Sequence, residues 1–244
     1  MNEKRVLNVS GVEFTASNGS QRTPIIANIS TWLTEGEILG IMGPNGCGKT
    51  TLLRILAGTL NASSGRIERR YAKGKVGFVF QHTLENILPW TNILTNVALP
   101  ALIGGNDKNE ALASASATLS NLGLMHLGHR SPHQLSGGEL QLVSVARWLN
   151  CPPEILFIDE GWSMLDLKQR ENSLNIVKEL SVSQRTAVII VSHNIMDIAT
   201  ISHRAIVLSK KPATVASSID LCQQLSPVDK NKLLWEALTC VQGN

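Results

Sequence analysis

Gly43-Pro44-Asn45-Gly46-Cys47-Gly48-Lys49-Thr50 sets glycines, a lysine and a hydroxyl at the spacing G-x-x-x-x-G-K-S/T, a loop whose amides can turn inward on phosphate oxygens. Lys49 can neutralise charge between the β- and γ-phosphates of a nucleotide, and Thr51 extends the polar wall beside Thr50. Thr50 offers a hydroxyl to Mg²⁺, an ion that takes oxygen ligands at about 2.0–2.1 Å and keeps some water. A glycine-rich turn with a chance Lys-Thr is the alternative, and the apolar strand before the loop and the helical pattern after it weigh against that. Further on, Ile155-Leu156-Phe157-Ile158 buries a strand from whose end Asp159 and Glu160 emerge together. Adjacent carboxylates can simply cap the next helix. Beside a phosphate loop they divide the work, Asp159 holding the metal through water and Glu160 polarising an attacking water; general-base catalysis of this kind contributes about 10²–10⁴-fold. Val191-Ser192-His193 ends another strand with an imidazole, and Gln81, after Gly77-Phe78-Val79-Phe80, brings an amide oxygen for the metal or the water. Either residue alone would be uninformative.

Leu135-Ser136-Gly137-Gly138-Glu139 raises a different question. Ser136 and Glu139 fit a capping box ahead of Leu140, Leu142, Val143 and Val145, so a plain helix start accounts for both. It leaves Gly137 and Gly138 unexplained, because paired glycines at a helix mouth cost backbone entropy unless another body approaches closely. A helix N-terminus with bare amides is also an anion site.

The elements that must hold these residues read as α/β. Val6, Leu7 and Val9 mark one early strand and Ile25, Ile26 and Ile29 another, across the turn-rich Ser17-Asn18-Gly19-Ser20, as an antiparallel edge layer. Ile38-Leu39-Gly40-Ile41-Met42 is a buried strand, and Leu52, Leu53, Ile55 and Leu56 form the apolar face of a helix ending near Gly58. The block from about 82 to 150, rich in Ala, Ser and Leu, reads as a mainly helical insertion. Strands return at 155–158, 187–191 and 205–208, and polar residues sit just past the ends of the first two, where open α/β sheets bind ligands. Leu221, Leu225, Leu233, Leu234, Trp235 and Leu238 suggest a short helical tail, about 216–244, packed on the core. The chain of 244 residues is long enough for one large domain with an inserted subdomain.

Composition removes several function classes. A net charge of +3 is too small for a nucleic-acid footprint, and Arg66, Arg69, Arg70, Lys73 and Lys75 read as the solvated face of a hairpin. Cys47, Cys151, Cys222 and Cys240 have no metal-ligand spacing, which suits a reducing compartment. Met1-Asn2-Glu3-Lys4-Arg5 leads straight into strand-like residues, with no signal peptide. Asn86 to Asn106 carries no charge and is long enough to cross a bilayer, but Pro89, Pro100, Gly104 and Gly105 make it irregular structure, buried or facing a partner.

Taken together these residues resemble the ATP-binding cassette (ABC) ATPases, from about residue 6 to 215. The phosphate loop, Gln81, the 135–139 pentapeptide, Asp159-Glu160, Asp166 and His193 occur in that family's order. The resemblance implies a P-loop NTPase ABC ATPase core in a single nucleotide-binding domain, with ATP and Mg²⁺ as its cofactors. It further implies that two cassettes, a homodimer or a pair, sandwich two ATP molecules head to tail. Ser136, Gly137 and Gly138 of one then meet the γ-phosphate held by the other, Asp166 reaches across, and an N-terminal aromatic stacks on adenine. Phe14 is the candidate for that stack, with Trp32 or an ordinary core role as alternatives.

The chain departs from the family at Gly161-Trp162-Ser163-Met164, where proline usually follows the glutamate; glycine is expected to loosen the turn that aims Glu160 and Asp166. Glu139 stands for the commoner glutamine, and Leu142 where arginine is frequent. Leu88-Pro89-Trp90-Thr91 and Val207-Leu208-Ser209-Lys210-Lys211-Pro212 resemble the ATPases of nitrate, sulfonate and taurine-type importers. That implies a peripheral subunit on the cytoplasmic face of the inner membrane, working with an integral-membrane permease and a periplasmic or extracellular solute-binding protein, without nucleic acid. The residues after Lys211 are not expected to hold a separate regulatory domain. The competing account makes Leu88, Pro89 and Trp90 core of the helical insertion, with the importer reading placed ahead of it, and another transporter class or a soluble or weakly hydrolysing ABC protein is the alternative function.

Overall fold

A computed structural model describes residues 4–19, 21–72, 74–80, 87–162, 164–223 and 225–243. Two sheets stand one over the other. The smaller is antiparallel, with β1 (Arg5–Asn18) between β2 (Gln21–Thr34) and β4 (Ser64–Arg69). The larger runs in the order β5 (Val76–Val79), β6 (Ile155–Asp159), β7 (Ala187–Val191), β3 (Ile38–Met42), β8 (Arg204–Leu208), β9 (Val215–Asp220). Its first five strands are parallel and β9 is antiparallel.

Because strand side chains alternate between faces, each buried strand feeds two cores. Leu39, Ile41, Phe157, Ile189 and Val191 point toward α1 (Lys49–Ala57) and the small sheet, where Leu52, Ile55 and Leu56 meet Val9, Val12 and Ile29. Ile38, Met42, Ile158, Val188 and Ile190 point the other way, to α5 (Leu167–Ser183), α6 (Ile195–Ile201) and Leu234 of α7 (Pro227–Gly243). A third core belongs to α2 (Ile93–Ile103), α3 (Lys108–Asn121) and α4 (Gly137–Asn150), closed by Val97, Ala115, Leu119, Val143 and Ala146.

Three expectations need correction. Residues 93–103 are helix rather than irregular structure, despite Pro100. Proline lacks the N–H that would bond the Asn96 carbonyl, and the buried Arg147 Nε of α4 donates to that oxygen instead, at 3.0 Å. Arg147 Nη2 also bonds Asn96 Oδ1 at 2.9 Å, and burial pulls its guanidinium down to about 10. The basic run at 66–75 is not a hairpin, since β4 and β5 belong to different sheets; Arg69 instead caps α1 by donating to the carbonyls of Ile55 and Leu56 at 2.7 and 3.0 Å. The tail opens with the edge strand β9 before its helix, and on that helix Leu234 is buried while Trp235 is 60% exposed.

Candidate nucleotide site

The strand order sets the site. β6, β7, β3 and β8 are parallel neighbours, so their carboxyl ends stand in a row: Asp159 pairs with Val191, Ile41 with Val191, and Met42 with Val207. The segments that follow bring Glu160, His193, the phosphate loop and Lys211 to one edge. They line an open cavity of about 610 Å³, together with Asn45, Gly46, Gly48, Lys49, Thr50 and Thr51.

Within the loop Gly48 takes φ +119°, a conformation that L side chains rarely adopt. Gly48 caps α1 without any side-chain hydrogen bond, and no acidic residue occupies the first turn. The amides at the start of α1 are thus aimed at the cavity with the positive end of the helix dipole behind them. Lys49 is folded back over the loop, its Nζ donating to the carbonyls of Gly43 and Pro44 at 3.0 and 3.1 Å. Cys47 is buried, and burial pushes its thiol up against the opposing influence of Lys49 and, more weakly, Lys211.

Thr50 Oγ1 donates to Asp159 Oδ1 at 3.2 Å, which joins α1 to the end of β6. Asp159 is 4% exposed, and burial raises its carboxyl above the usual range; the Thr50 bond acts against that shift. The hydroxyl and carboxylate are both oxygen donors, and no group of three His, Cys, Asp or Glu among the described residues forms a self-sufficient metal cage. Such a pair fits Mg²⁺, which is bound through one or two protein oxygens together with substrate phosphates and water.

Glu160 follows with φ +49°, unusual for a residue with a side chain, and its N–H donates to the Val191 carbonyl at 2.9 Å. Its Oε1 lies 3.4 Å from His193 Nδ1, across the junction of β6 and β7. The turn beyond is packed, contrary to the expectation of a loose one. A Cβ on Gly161 would come within 2.9 Å of both Ile158 Cγ2 and Val79 Cγ1, and Trp162 is 2% exposed. Gln81 lies outside the described residues.

The structure does not bring Ser136, Gly137, Gly138 or Asp166 to this cavity. Ser136 caps α4 in a closed capping box: its N–H and Oγ donate to Glu139 Oε2 at 2.7 and 2.8 Å, and its Oγ accepts from Glu139 N at 3.3 Å. Those bonds lower the Glu139 carboxyl. A Cβ on Gly137 would collide with Met164 Sδ, so the body that approaches this glycine in the single chain is the side chain of Met164. Asp166 caps α5 by accepting from Gln169 N at 2.8 Å. Phe14 is half-buried on β1 opposite Ile26, and Ile25 and Ile26 border Gly48, so Phe14 lies one strand away from the phosphate loop without lining the cavity. Trp32 does not line the cavity: the guanidinium groups of Arg5 and Arg204 lie 5.2 and 4.4 Å from its ring, and Arg204 is at the amino end of β8, the far edge of the sheet. Lys211 also lines the cavity, although in the sequence the stretch 207–212 carries only a family resemblance and no site signal.

A family model described as ABC transporter matches residues 26–163, more than half of the chain. The chain belongs to the ABC transporter family. It is 32% identical over 218 residues to a taurine import ATP-binding protein of Pseudomonas aeruginosa, covering 87% of this chain and 82% of that one. An uncharacterized ABC transporter ATP-binding protein of Methanocaldococcus jannaschii is 34% identical over 209 residues, 84% of this chain and 77% of that protein. Among solved structures, the dimeric post-hydrolysis state of the ATP-binding cassette MJ0796, bound to ADP and Pi, superposes with a TM-score of 0.79 at 28% identity, over 88% of this chain and 98% of that one. This ABC ATPase is therefore the ATP-hydrolysing subunit of a transporter, with ATP and Mg²⁺ as its nucleotide and metal. Among the described residues, no helix is long and apolar enough to cross a membrane.

Proposed function

We propose that this ABC ATPase is the energy-coupling cassette of an importer for small solutes of the taurine, sulfonate or nitrate type. In this reading the chain acts as one nucleotide-binding domain, paired with a second cassette on the cytoplasmic face of the inner membrane. It drives an integral-membrane permease supplied by a solute-binding protein. The observation that carries the pairing is the division of the site: the phosphate loop, Glu160 and His193 share one cavity while Ser136, Gly137 and Gly138 face elsewhere on the same protomer. The importer class is supported by the taurine-import relative and by Trp90, 76% exposed next to a segment tied down through Asn96.

The residue roles follow from chemistry and position. The loop amides of 43–48 and Lys49 bind the β- and γ-phosphates, and Thr50 and Asp159 hold Mg²⁺, which when bound neutralises charge on the phosphate oxygens. Lys49 exchanges its two backbone acceptors for phosphate oxygens, a stronger, charge-assisted pairing. Glu160 orients the attacking water and takes its proton as the water oxygen bonds to the γ-phosphorus and the bond to the β-phosphate oxygen breaks. His193, 3.4 Å from Glu160, steadies the carboxylate and the γ-phosphate. Gln81 completes the metal or water contacts, and Phe14 stacks on adenine. Ser136, Gly137, Gly138 and Asp166 act on the nucleotide held by the second cassette.

The test compares Mg-ATP hydrolysis and ATP-driven dimerisation of the parent, Glu160→Gln and Ser136→Arg. Glu160→Gln should bind ATP and dimerise with hydrolysis reduced at least about 100-fold, whereas Ser136→Arg should bind ATP as a monomer yet neither dimerise nor hydrolyse. Hydrolysis by Ser136→Arg equal to that of the parent would remove the trans site from the proposal. Co-purification with a hydrophobic permease subunit checks the transporter assignment, and transport assays with taurine, alkanesulfonates and nitrate check the cargo.

A further inference from the structure

We propose that Lys211 is a nucleotide-binding residue, its ammonium contacting the α- and β-phosphates from the flank of the loop opposite Glu160 and His193. This rests on reading the 610 Å³ cavity as the nucleotide site. The sheet order β6-β7-β3-β8 places the catalytic carboxylate and the imidazole on one side of the phosphate loop and the turn after β8 on the other. The bond to be hydrolysed lies toward Glu160, so a cation on the far flank faces the phosphates common to ATP and ADP.

The turn is fixed while its lysine is free to reach. Ala213 is fully buried and bound to β2 on both sides, its N–H donating to the Ile25 carbonyl at 2.8 Å and its carbonyl accepting from Ala27 N at 2.9 Å. Ser209 N donates to the Thr214 carbonyl at 3.0 Å, and Thr214 N donates to Ser209 Oγ at 2.9 Å, closing the turn. It abuts the phosphate loop so closely that a Cβ on Gly43 would lie 2.9 Å from the Leu208 carbonyl oxygen. The ammonium of Lys211 is exposed, and no hydrogen bond or ion pair among the described residues holds it. Lys210, its neighbour, is exposed too but does not line the cavity. A preset backbone carrying an uncommitted cation, beside helix amides aimed the same way, is what an anionic ligand requires.

The test is equilibrium binding of Mg-ADP and a Mg-bound non-hydrolysable ATP analogue to the full chain at low salt, by calorimetry. Lys211→Ala should raise both Kd values by about fivefold, the upper end for one exposed charge pair, and Lys211→Glu should raise them further. Lys211→Arg should stay within about twofold of the parent, and the Ala effect should shrink as salt is raised. Lys210→Ala serves as the control and should bind like the parent. Parental affinity in both Lys211→Ala and Lys211→Glu, with binding lost in Lys49→Ala, would overturn the inference and leave the site reading standing. Parental affinity in Lys49→Ala would instead overturn the site reading. A loss confined to the triphosphate analogue would overturn the placement on the α- and β-phosphates.

Discussion

Gly161→Ala tests whether the turn behind Glu160 is loose or packed. The added Cβ would sit 2.9 Å from Ile158 Cγ2 and 2.9 Å from Val79 Cγ1, about half an ångström inside ordinary contact, and Ile158, Val79 and the following Trp162 are all buried. Neither side chain can swing into solvent, so the strain goes to the backbone that carries Glu160. Overpacking of this kind costs about 1–3 kcal/mol, and for a chain of this size each kcal/mol lowers Tm by about 2–4 °C. Thermal unfolding of the parent, Gly161→Ala, Val79→Ala and the double variant forms a cycle in which the alanine at 79 removes one of the two collisions. The double variant should recover stability relative to the sum of the singles by about 1 kcal/mol, within the range for residues in contact. ATP hydrolysis should fall in Gly161→Ala and partly return in the double variant. A Gly161→Ala protein as stable and active as the parent would refute the packed-turn argument and restore the loose turn that the sequence suggests.

Asp159→Asn should raise the Tm of the nucleotide-free protein at neutral pH, by about 1 kcal/mol in stability, while abolishing Mg²⁺-dependent nucleotide binding. The sign follows from linkage: burial raises the folded-state pKa of Asp159, so the folded protein holds the proton longer than the unfolded chain and the carboxylate costs stability as pH rises through that window. The gain from asparagine should therefore shrink when Tm is measured toward pH 4. Arg147→Ala should cost about 1.5–3 kcal/mol in urea unfolding, because it removes the charged donor from both the Asn96 carbonyl and the Asn96 amide oxygen. Glu139→Gln should lower the ATP concentration for half-maximal dimerisation, read by size-exclusion chromatography, by about two- to fivefold, since in the proposed pairing it removes a negative charge from beside the partner's phosphate and keeps an acceptor for Ser136.

What was legible in the sequence was local. The phosphate loop and the Asp159-Glu160 strand announce themselves because their residues are contiguous and their strand and helix periods are clean. Residues that depend on distant registers were not legible. Trp32 and Phe14 are comparable as sequence candidates for an aromatic stack, and only the pairing of β1 with β2 and the position of Arg204 separate them. Lys211 carries no motif of its own; it joins the site because β8 lies next to β3. The edge strand β9, Val-Ala-Ser-Ser-Ile-Asp, alternates half-buried and exposed positions with small polar residues and so has little hydrophobic signal. Helix α2 was hidden by Pro100, whose cost is offset by an arginine nearly fifty residues away.

The geometry around Ser136 bears on the proposed pairing of two cassettes. In the single chain its hydroxyl proton is directed to Glu139 Oε2, and the same carboxylate also takes the Ser136 N–H. The capping box thus satisfies Ser136 internally, so the donors this helix start still offers a phosphate are the amides of its first turn. In the proposed pairing, an incoming γ-phosphate competes with that carboxylate for the hydroxyl proton, and the amides of Gly137 and Gly138 add their donors. Gly137 is covered by Met164, two residues before Asp166. In the proposed pairing, a γ-phosphate that reaches Gly137 has to move the exposed Met164 side chain aside.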